Sequence, residues 1–546
     1  MELERTLISA FPIVLLIWMM TKKRALPSHI ALPITALLVG LIQLFYFQSA
    51  GRVMGANVIS GVLSVLTPIS IIAGAILLNR VLAISGAEKV IGRWLDSIST
   101  NAVAQLMIIG WAFAFMLEGA SGFGTPAAIA APMLVGLGFA PLNVAIFALI
   151  MNSVPVSFGA VGTPIWFGLE ALNLSPEQLL SVSSQTALIN LFAALVVPIL
   201  ALKFVVNWHL IRRNIVFILL SILSCTLPYY VLANWNYEFP SLIGGAIGLM
   251  LSIVFAKADI GLNAAEHDLP KGVRVPFREV FTAVLPLVLL IVILIVTRIS
   301  QLGIKGLLTN PQAWLGMDVG ASHLGVSQSL VISFENILST SVSWSYKTLY
   351  VPALIPFMLV VLVSIPLLKM TGRQVKEAFS ETGRRVRLPF VSLAGALVMV
   401  NLMMLGGENS PIFLIANAFA NATGSSWSLF AALLGALGSF FSGSATVSNL
   451  TFGGIQQSIA EQVGLSTTLI LALQSAGAAM GNMVCINNII AVSTILGISN
   501  KEGFISRSKW HAQPIAFNST IGKVYTKQCF ITCHCNINIL IGRSIL

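Results

Sequence analysis

A helix needs about 20 apolar residues to cross the hydrocarbon core of a bilayer, and runs of that kind recur along nearly the whole of this chain. They lie near residues 7–20, 29–48, 61–79, 103–117, 127–140, 143–160, 185–202, 214–232, 240–256, 281–297, 351–368 and 388–405. Shorter apolar stretches follow near 411–420, 427–441, 447–460, 465–481 and 485–498. A soluble fold cannot hide them. Only 9% of the 546 residues are charged and 57% are apolar, whereas a typical soluble domain is about 25% charged. The polar surface is too small to cover such a core. The fold class is therefore an all-α polytopic membrane protein with about 12–14 transmembrane helices.

The same residues exclude other classes. Five cysteines in 546 residues cannot staple a secreted disulfide scaffold. A net charge of +11 looks basic, but in a membrane protein the placement of lysine and arginine carries the meaning, so no nucleic-acid partner follows. No GxxxxGK[ST] loop, HExxH pair or GxSxG elbow is present, so neither an ATP-driven pump nor an intramembrane enzyme is expected. No metal site or cofactor is expected either.

Topology follows from charge. The first apolar run is not a cleaved signal peptide, because Glu2 and Glu4 outweigh Arg5 before it and Lys22-Lys23-Arg24 come after it. The positive-inside rule then places the N-terminus outside and 22–24 in the cytoplasm. Alternating from there, the inner segments 22–24, 80–102, 203–213, 257–280 and 369–387 hold 19 Lys/Arg, against 5 in the outer segments up to residue 405.

Two short strings match. Ser121-Gly122-Phe123-Gly124-Thr125 and Ser442-Gly443-Ser444-Ala445-Thr446 are 321 positions apart, and the same shift lays 30–47 on 351–368, 67–84 on 388–405 and 103–117 on 424–438. By the charge count the paired spans run in opposite directions. Inverted repeats with interrupted helices are the mark of secondary transporters, whose sites lie near the midplane. The expected division is a first repeat region at 1–256, a basic cytoplasmic loop at 257–280 and a second repeat region at 281–504. The second region includes an outer loop at 299–350, a surface element whose Trp314 and Trp344 suit the membrane interface.

Non-helical backbone at membrane depth is tolerated only where protein buries it or it lines a cavity. Residues 118–126 read Glu-Gly-Ala-Ser-Gly-Phe-Gly-Thr-Pro, a break that turns free N–H groups towards one spot and suits an anion. Close packing of helices through small residues is the alternative. The substrate-binding candidates are Ser121, Gly122, Gly124 and Thr125 with their partners Ser442, Ser444 and Thr446. Asn152, Ser153 and Thr163 join them from a second broken run, whose positional counterpart carries Gln474, Ser475, Asn482, Asn487 and Asn488. Those amides serve helix-to-helix bonding as readily as substrate contact. Glu118 and Glu408 interrupt apolar stretches. An intramembrane carboxyl is a functional candidate by default, here for carrying a coupled proton, unless it sits ionised at a helix end.

The runs Phe113-Ala114-Phe115-Met116-Leu117-Glu118-Gly119-Ala120-Ser121-Gly122-Phe123-Gly124-Thr125-Pro126, Asn152 through Pro164 and Phe441 through Gly453 strongly resemble the bacterial L-lactate permease family, and the likeness covers roughly residues 1–504. The resemblance implies a carrier in the bacterial cytoplasmic (inner) membrane that imports L-lactate, with D-lactate and glycolate, together with protons. The residues alone reach only a secondary carrier that leans towards an anion. A sodium- or proton-coupled carrier for another small carboxylate, and a passive anion channel, are the alternatives. Past Phe504 the family pattern is expected to stop. Residues 505–546 are polar and poorly patterned, with Cys529, Cys533 and Cys535 beside His534, as expected if the reading frame changes near the end and replaces a last span.

Overall fold

A computed structural model describes residues 2–21, 26–122, 125–263, 269, 272, 274–298 and 302–498. The cluster 22–24 and the tail from 505 lie outside them. In chain order the principal elements are α1 (Glu2–Thr21), α2 (Ser28–Phe45), α3 (Gly51–Ser64) and α4 (Leu66–Ile84). They continue with α5 (Ala102–Ser121), α6 (Thr125–Gly136), α7 (Pro141–Met151), α8 (Pro176–Leu202), α9 (Ile215–Ala233) and α10 (Pro240–Lys257). Then come α11 (Phe277–Arg298), strands β1 (Ala313–Val319), β2 (Ser322–Ser327), β3 (Val331–Glu335) and β4 (Trp344–Lys347), α12 (Ala353–Leu367) and α13 (Gly372–Met403). The chain closes with α14 (Pro411–Thr423), α15 (Ser428–Ser442), α16 (Ala445–Val463), α17 (Thr467–Asn482) and α18 (Ile486–Ile495).

Among the described residues, nine helices are long and apolar enough to cross a membrane, and ten if α7 and the bent segment after it form one span. The 12–14 of the sequence reading counts shorter helices such as α6 and α12 as spans too. Two features differ from the expectation. The basic stretch 369–387 is helix from Gly372, because α13 runs for 32 residues and carries its cations on its first half. Thr371 caps it, and Gln374 completes a reciprocal capping box. The segment 299–350 contains a four-stranded antiparallel sheet in the order β1-β2-β3-β4, built from short alternating strings such as Val331-Ile332-Ser333-Phe334-Glu335.

The chain folds into two compact units. One comprises Met1–Ile91 and Pro276–Ala422, the other Gly92–Val275 and the described residues from Thr423 on. Each draws on both halves of the sequence, and elements 321 positions apart share a unit, as α2 and α12 do in the first and α5 and α15 in the second.

In the first unit α13 is the hub. Gln43 Nε2 donates to the Leu402 carbonyl at 2.7 Å, Asn401 Nδ2 to the Asn57 carbonyl at 3.3 Å, and Arg80 Nε meets Glu381 Oε2 at 2.7 Å. Backbones approach closely where side chains are missing: a Cβ on Gly395 would stand 2.6 Å from the Pro33 nitrogen. Small residues are the usual device for such crossings, since apolar burial cannot drive helices together in lipid.

The second unit encloses α5. The whole of α5 is buried, and it includes a π-helical turn at Ile108–Phe113. A chain of edge-to-face rings, Trp111–Phe115–Tyr229–Phe158 at 5.1, 5.5 and 5.1 Å, ties α5 to α9 and to the broken segment after α7. Gly477 and Gly481 of α17 sit against the Ala432 and Ala436 carbonyls of α15, where any Cβ would overlap. Gln474, singled out from sequence, bonds α16: its Nε2 donates to Ser448 Oγ at 3.1 Å and its Oε1 accepts from Gln456 at 2.8 Å.

Gly395→Ala should lower stability by about 1–3 kcal/mol through overpacking. Gly383→Ala, exposed in the same helix with nothing near its Cβ position, should raise it by about 0.4–1 kcal/mol. Thermal unfolding in detergent reads both, and a neutral Gly395→Ala would contradict the α2–α13 crossing.

Candidate functional site

Two helix breaks and one left-handed turn build the site, all within the second unit. The helix α5 stops at Ser121 because Gly122 turns to φ 61°, ψ −157°, and α6 starts at Thr125. Its repeat partner α15 stops at Ser442 because Gly443 turns to φ 74°, ψ 17°; Ser444 is extended and caps α16 by accepting from the Val447 N–H at 3.3 Å. Glycine suits both stops, as side chains disfavour positive φ.

The third part follows α7. After the 3-10 turn Pro155–Phe158, Gly159 is extended, and then Ala160 (φ 46°, ψ 54°), Val161 (φ 58°, ψ 47°) and Gly162 (φ 70°, ψ 12°) make a left-handed turn. A side chain in that conformation costs about 1–2 kcal/mol per residue, so the surroundings must hold it. Thr163 Oγ1 donates to the Ala160 carbonyl, Trp166 Nε1 to the Val161 carbonyl at 3.0 Å, and Asn449 Nδ2 of α16 to the Pro164 carbonyl at 2.8 Å. Buried strain of this kind gathers at functional sites.

These parts line a small, partly open cavity of about 20 Å³. Glu118 and Gly122 line it from the first break, and Val156, Gly159, Ala160 and Pro164 from the turn. Gly443, Ser444, Ala445 and Thr446 line it from the second break, with Asn482 at the end of α17. Glu118 is 2% exposed. Its Oε2 accepts from Asn152 Nδ2 at 3.1 Å, and a Cβ on Gly159 would stand 2.5 Å from its Oε1. Gly159 therefore makes room for the carboxyl. Among the described residues, no lysine, arginine or histidine lines the cavity. Opposite charge comes instead from the first turn of α16, a 19-residue helix whose N-terminal residues Ala445 and Thr446 face the cavity. Asn482 Oδ1 accepts from Asn488 Nδ2 at 2.5 Å, which fixes the carboxamide and leaves its own Nδ2 as the available donor.

The sequence candidates separate accordingly. Gly122, Ser444 and Thr446 line the cavity, and Asn152 reaches it through Glu118. Four hydroxyls bond to nearby carbonyls instead: Ser121 to Leu117 at 2.9 Å, Ser442 to Gly438 at 2.8 Å, Ser153 to Ile150 at 2.7 Å, and Thr163 to Ala160. Gly124 lies outside the described residues, and Thr125 opens α6. Glu408 belongs to the first unit, on an exposed turn at Gly407–Asn409, and is not among the cavity residues. Val156, Ala160 and Ala445 carry no signal in the sequence, since an apolar residue on a cavity wall reads like any core residue.

A multi-span helical protein whose broken helices meet around a buried carboxyl has the build of a membrane carrier. The L-lactate permease family matches residues 5–521, seventeen residues past the point at which the likeness was expected to stop. The chain belongs to that family, whose members are transporters and not enzymes. It is 55% identical over 500 residues to the Haemophilus influenzae protein named "Putative L-lactate permease", covering 91% of this chain and 94% of that one. It is 27% identical over 546 residues to the L-lactate permease of Escherichia coli K12, with 96% of each covered. It is 26% identical over 529 residues to that organism's glycolate permease GlcA, with 93% and 92% covered.

Because the fold holds Ala160 left-handed, Ala160→Gly should stabilise the protein by about 1 kcal/mol. Ala148→Gly, inside α7, should destabilise it by about the same amount. Thermal unfolding compares the two, and destabilisation by Ala160→Gly would contradict the left-handed turn.

Proposed function

We propose that the protein is a secondary carrier that imports L-lactate, with D-lactate and glycolate, across the bacterial cytoplasmic membrane together with protons, and that the second-unit cavity is its substrate site. The observation that carries this reading is the pairing of a buried carboxyl, bonded by the Asn152 amide, with a helix N-terminus across one small cavity. The names of the relatives supply the substrate class.

The chemistry follows from charge. The first-turn N–H groups of α16, the Ser444 and Thr446 hydroxyls and Asn482 Nδ2 are donors suited to a carboxylate and its neighbouring hydroxyl. Ionised Glu118 opposes that anion: two like charges about 5 Å apart repel by roughly 3 kcal/mol at an effective dielectric of 20. That weakens binding by about a hundredfold. A proton on Glu118 removes the repulsion, so anion and proton enter the cavity together and leave it together. The cycle is then electroneutral. Asn152 donates to either form of the carboxyl, and Gly159 keeps the space that the carboxyl occupies. The opposite orientation of the two repeats, read from loop charge, supplies the means of alternating access.

The test is labelled L-lactate uptake into proteoliposomes with and without an inward proton gradient. Wild type should accumulate substrate only with the gradient. Glu118→Gln, a permanently neutral isostere, should lose gradient-driven accumulation while keeping exchange of external for preloaded lactate. Gradient-driven accumulation by the variant would contradict the role of Glu118, and uptake driven by sodium in place of protons would contradict the coupling ion.

A further inference from the structure

The four-stranded sheet of the first unit has two unlike faces. The register aligns Leu315, Val326, Ile332 and Tyr346 in one row and Met317, Leu324, Phe334 and Trp344 in the next. Both rows lie on one side of the sheet and are wholly apolar apart from the Tyr346 hydroxyl, which bonds Ser70 Oγ at 3.1 Å. The alternate residues form the other face: Gly316, Gly325, Ser333 and Ser345 in one row, and Asp318, His323 and Glu335 in the next. There His323 Nδ1 and Asp318 Oδ1 are 2.6 Å apart.

Among the described residues, only half of the apolar face has a cover. At β3 and β4 it packs on α3: Trp344 is 8% exposed and forms a core with Ala56 and Ile337, with Ile59, Leu63, Ile332, Phe334 and Tyr346 against it. At β1 those rows, and the Val319–Ser322 pair beyond them, end without a cover among the described residues. Leu315, Met317 and Val319 are 60%, 59% and 60% exposed, and Leu324 of β2 is 39% exposed. The two tryptophans expected at the interface thus differ, Trp344 being core and Trp314 exposed.

We propose that the open half of this face, over β1 and β2, rests on lipid at the boundary between headgroups and acyl chains. Three observations converge. The apolar rows are continuous with the surface that packs on α3, and α3 belongs to a 34-residue apolar stretch long enough to span the membrane. The sheet is tied at its root to the end of another span, where the Arg298 guanidinium at the end of α11 stands 3.7 Å over the Tyr350 ring and Lys305 Nζ stands 5.9 Å from it. Arg298 is buried there, and the exposed Lys305 is the cation that can meet lipid phosphates and mark headgroup depth. Finally, β1 is an edge strand, and its open backbone edge needs hydrogen-bond partners that headgroups and water supply and hydrocarbon does not. An amphipathic element with one polar face belongs at that depth and in that orientation.

The test uses nitroxide labels at Met317→Cys and Val319→Cys on the apolar face and at Asp318→Cys between them on the polar face. Cys529, Cys533 and Cys535 are replaced by serine; Cys225 and Cys485 are buried. In proteoliposomes of uncharged and anionic phospholipid, positions 317 and 319 should be more accessible to oxygen than to a water-soluble nickel chelate. Position 318 should show the reverse order. Two apolar-face positions keep the test valid if one variant folds poorly. Equal access of the nickel chelate to all three positions would overturn the proposal in favour of water. Exclusion of both reagents from 317 and 319 would overturn it in favour of a protein cover, and spin–spin broadening would identify that cover as a second copy.

Discussion

Breaking a helix inside a membrane leaves N–H and C=O groups that hydrocarbon cannot satisfy, each at a cost of several kcal/mol. The second unit is organised around meeting that cost at three breaks in one place. Ser444 caps α16, Ser442 and Ser121 bond back to their own helices, and Asn449 reaches from α16 to the Pro164 carbonyl beyond the left-handed turn. What remains after these bonds is a small space with donors on one side and a carboxyl on the other.

Close packing holds the breaks still. Gly477 and Gly481 bring α17 onto α15, and Gly119 and Gly245 bring α5 onto α10, at separations that admit no Cβ. The aromatic chain through Tyr229, with Asn190 Nδ2 donating to its hydroxyl at 2.8 Å and to Ser157 Oγ at 2.9 Å, fixes the segment that carries Gly159. Polar groups thus serve two ends. The Gln474–Gln456–Ser448 set joins helices, whereas Asn152 and Asn482 serve the cavity.

Much of this was legible in the sequence, and the part that was not has physical reasons. Long apolar runs located the spans, because length and hydropathy alone decide what crosses a bilayer. The breaks at Gly122 and Gly443 were legible from clustered small residues and from their recurrence at one spacing. Glu118 stood out as a carboxyl in an apolar run. Sequence could not tell which hydroxyls point inward: Ser121 and Ser444 look alike in composition, yet one bonds back to its own helix and the other caps a helix at the cavity. The left-handed Ala160-Val161 pair was invisible, since these residue types disfavour that conformation and only tertiary contacts impose it. The sheet was legible and missed. The alternation in Val331–Glu335 and Trp344–Lys347 is the strand signal, carried by strings of only five and four residues.

The central claim is that the carried anion sits among Ser444, Thr446 and Glu118. Alkylation of Ser444→Cys by a small maleimide in transport-competent proteoliposomes, with the tail cysteines replaced, tests it most directly. L-lactate and glycolate should slow the reaction saturably, over the same concentration range in which lactate uptake saturates, and succinate should not. An alkylation rate unchanged by lactate, in protein that still transports it, would contradict the account.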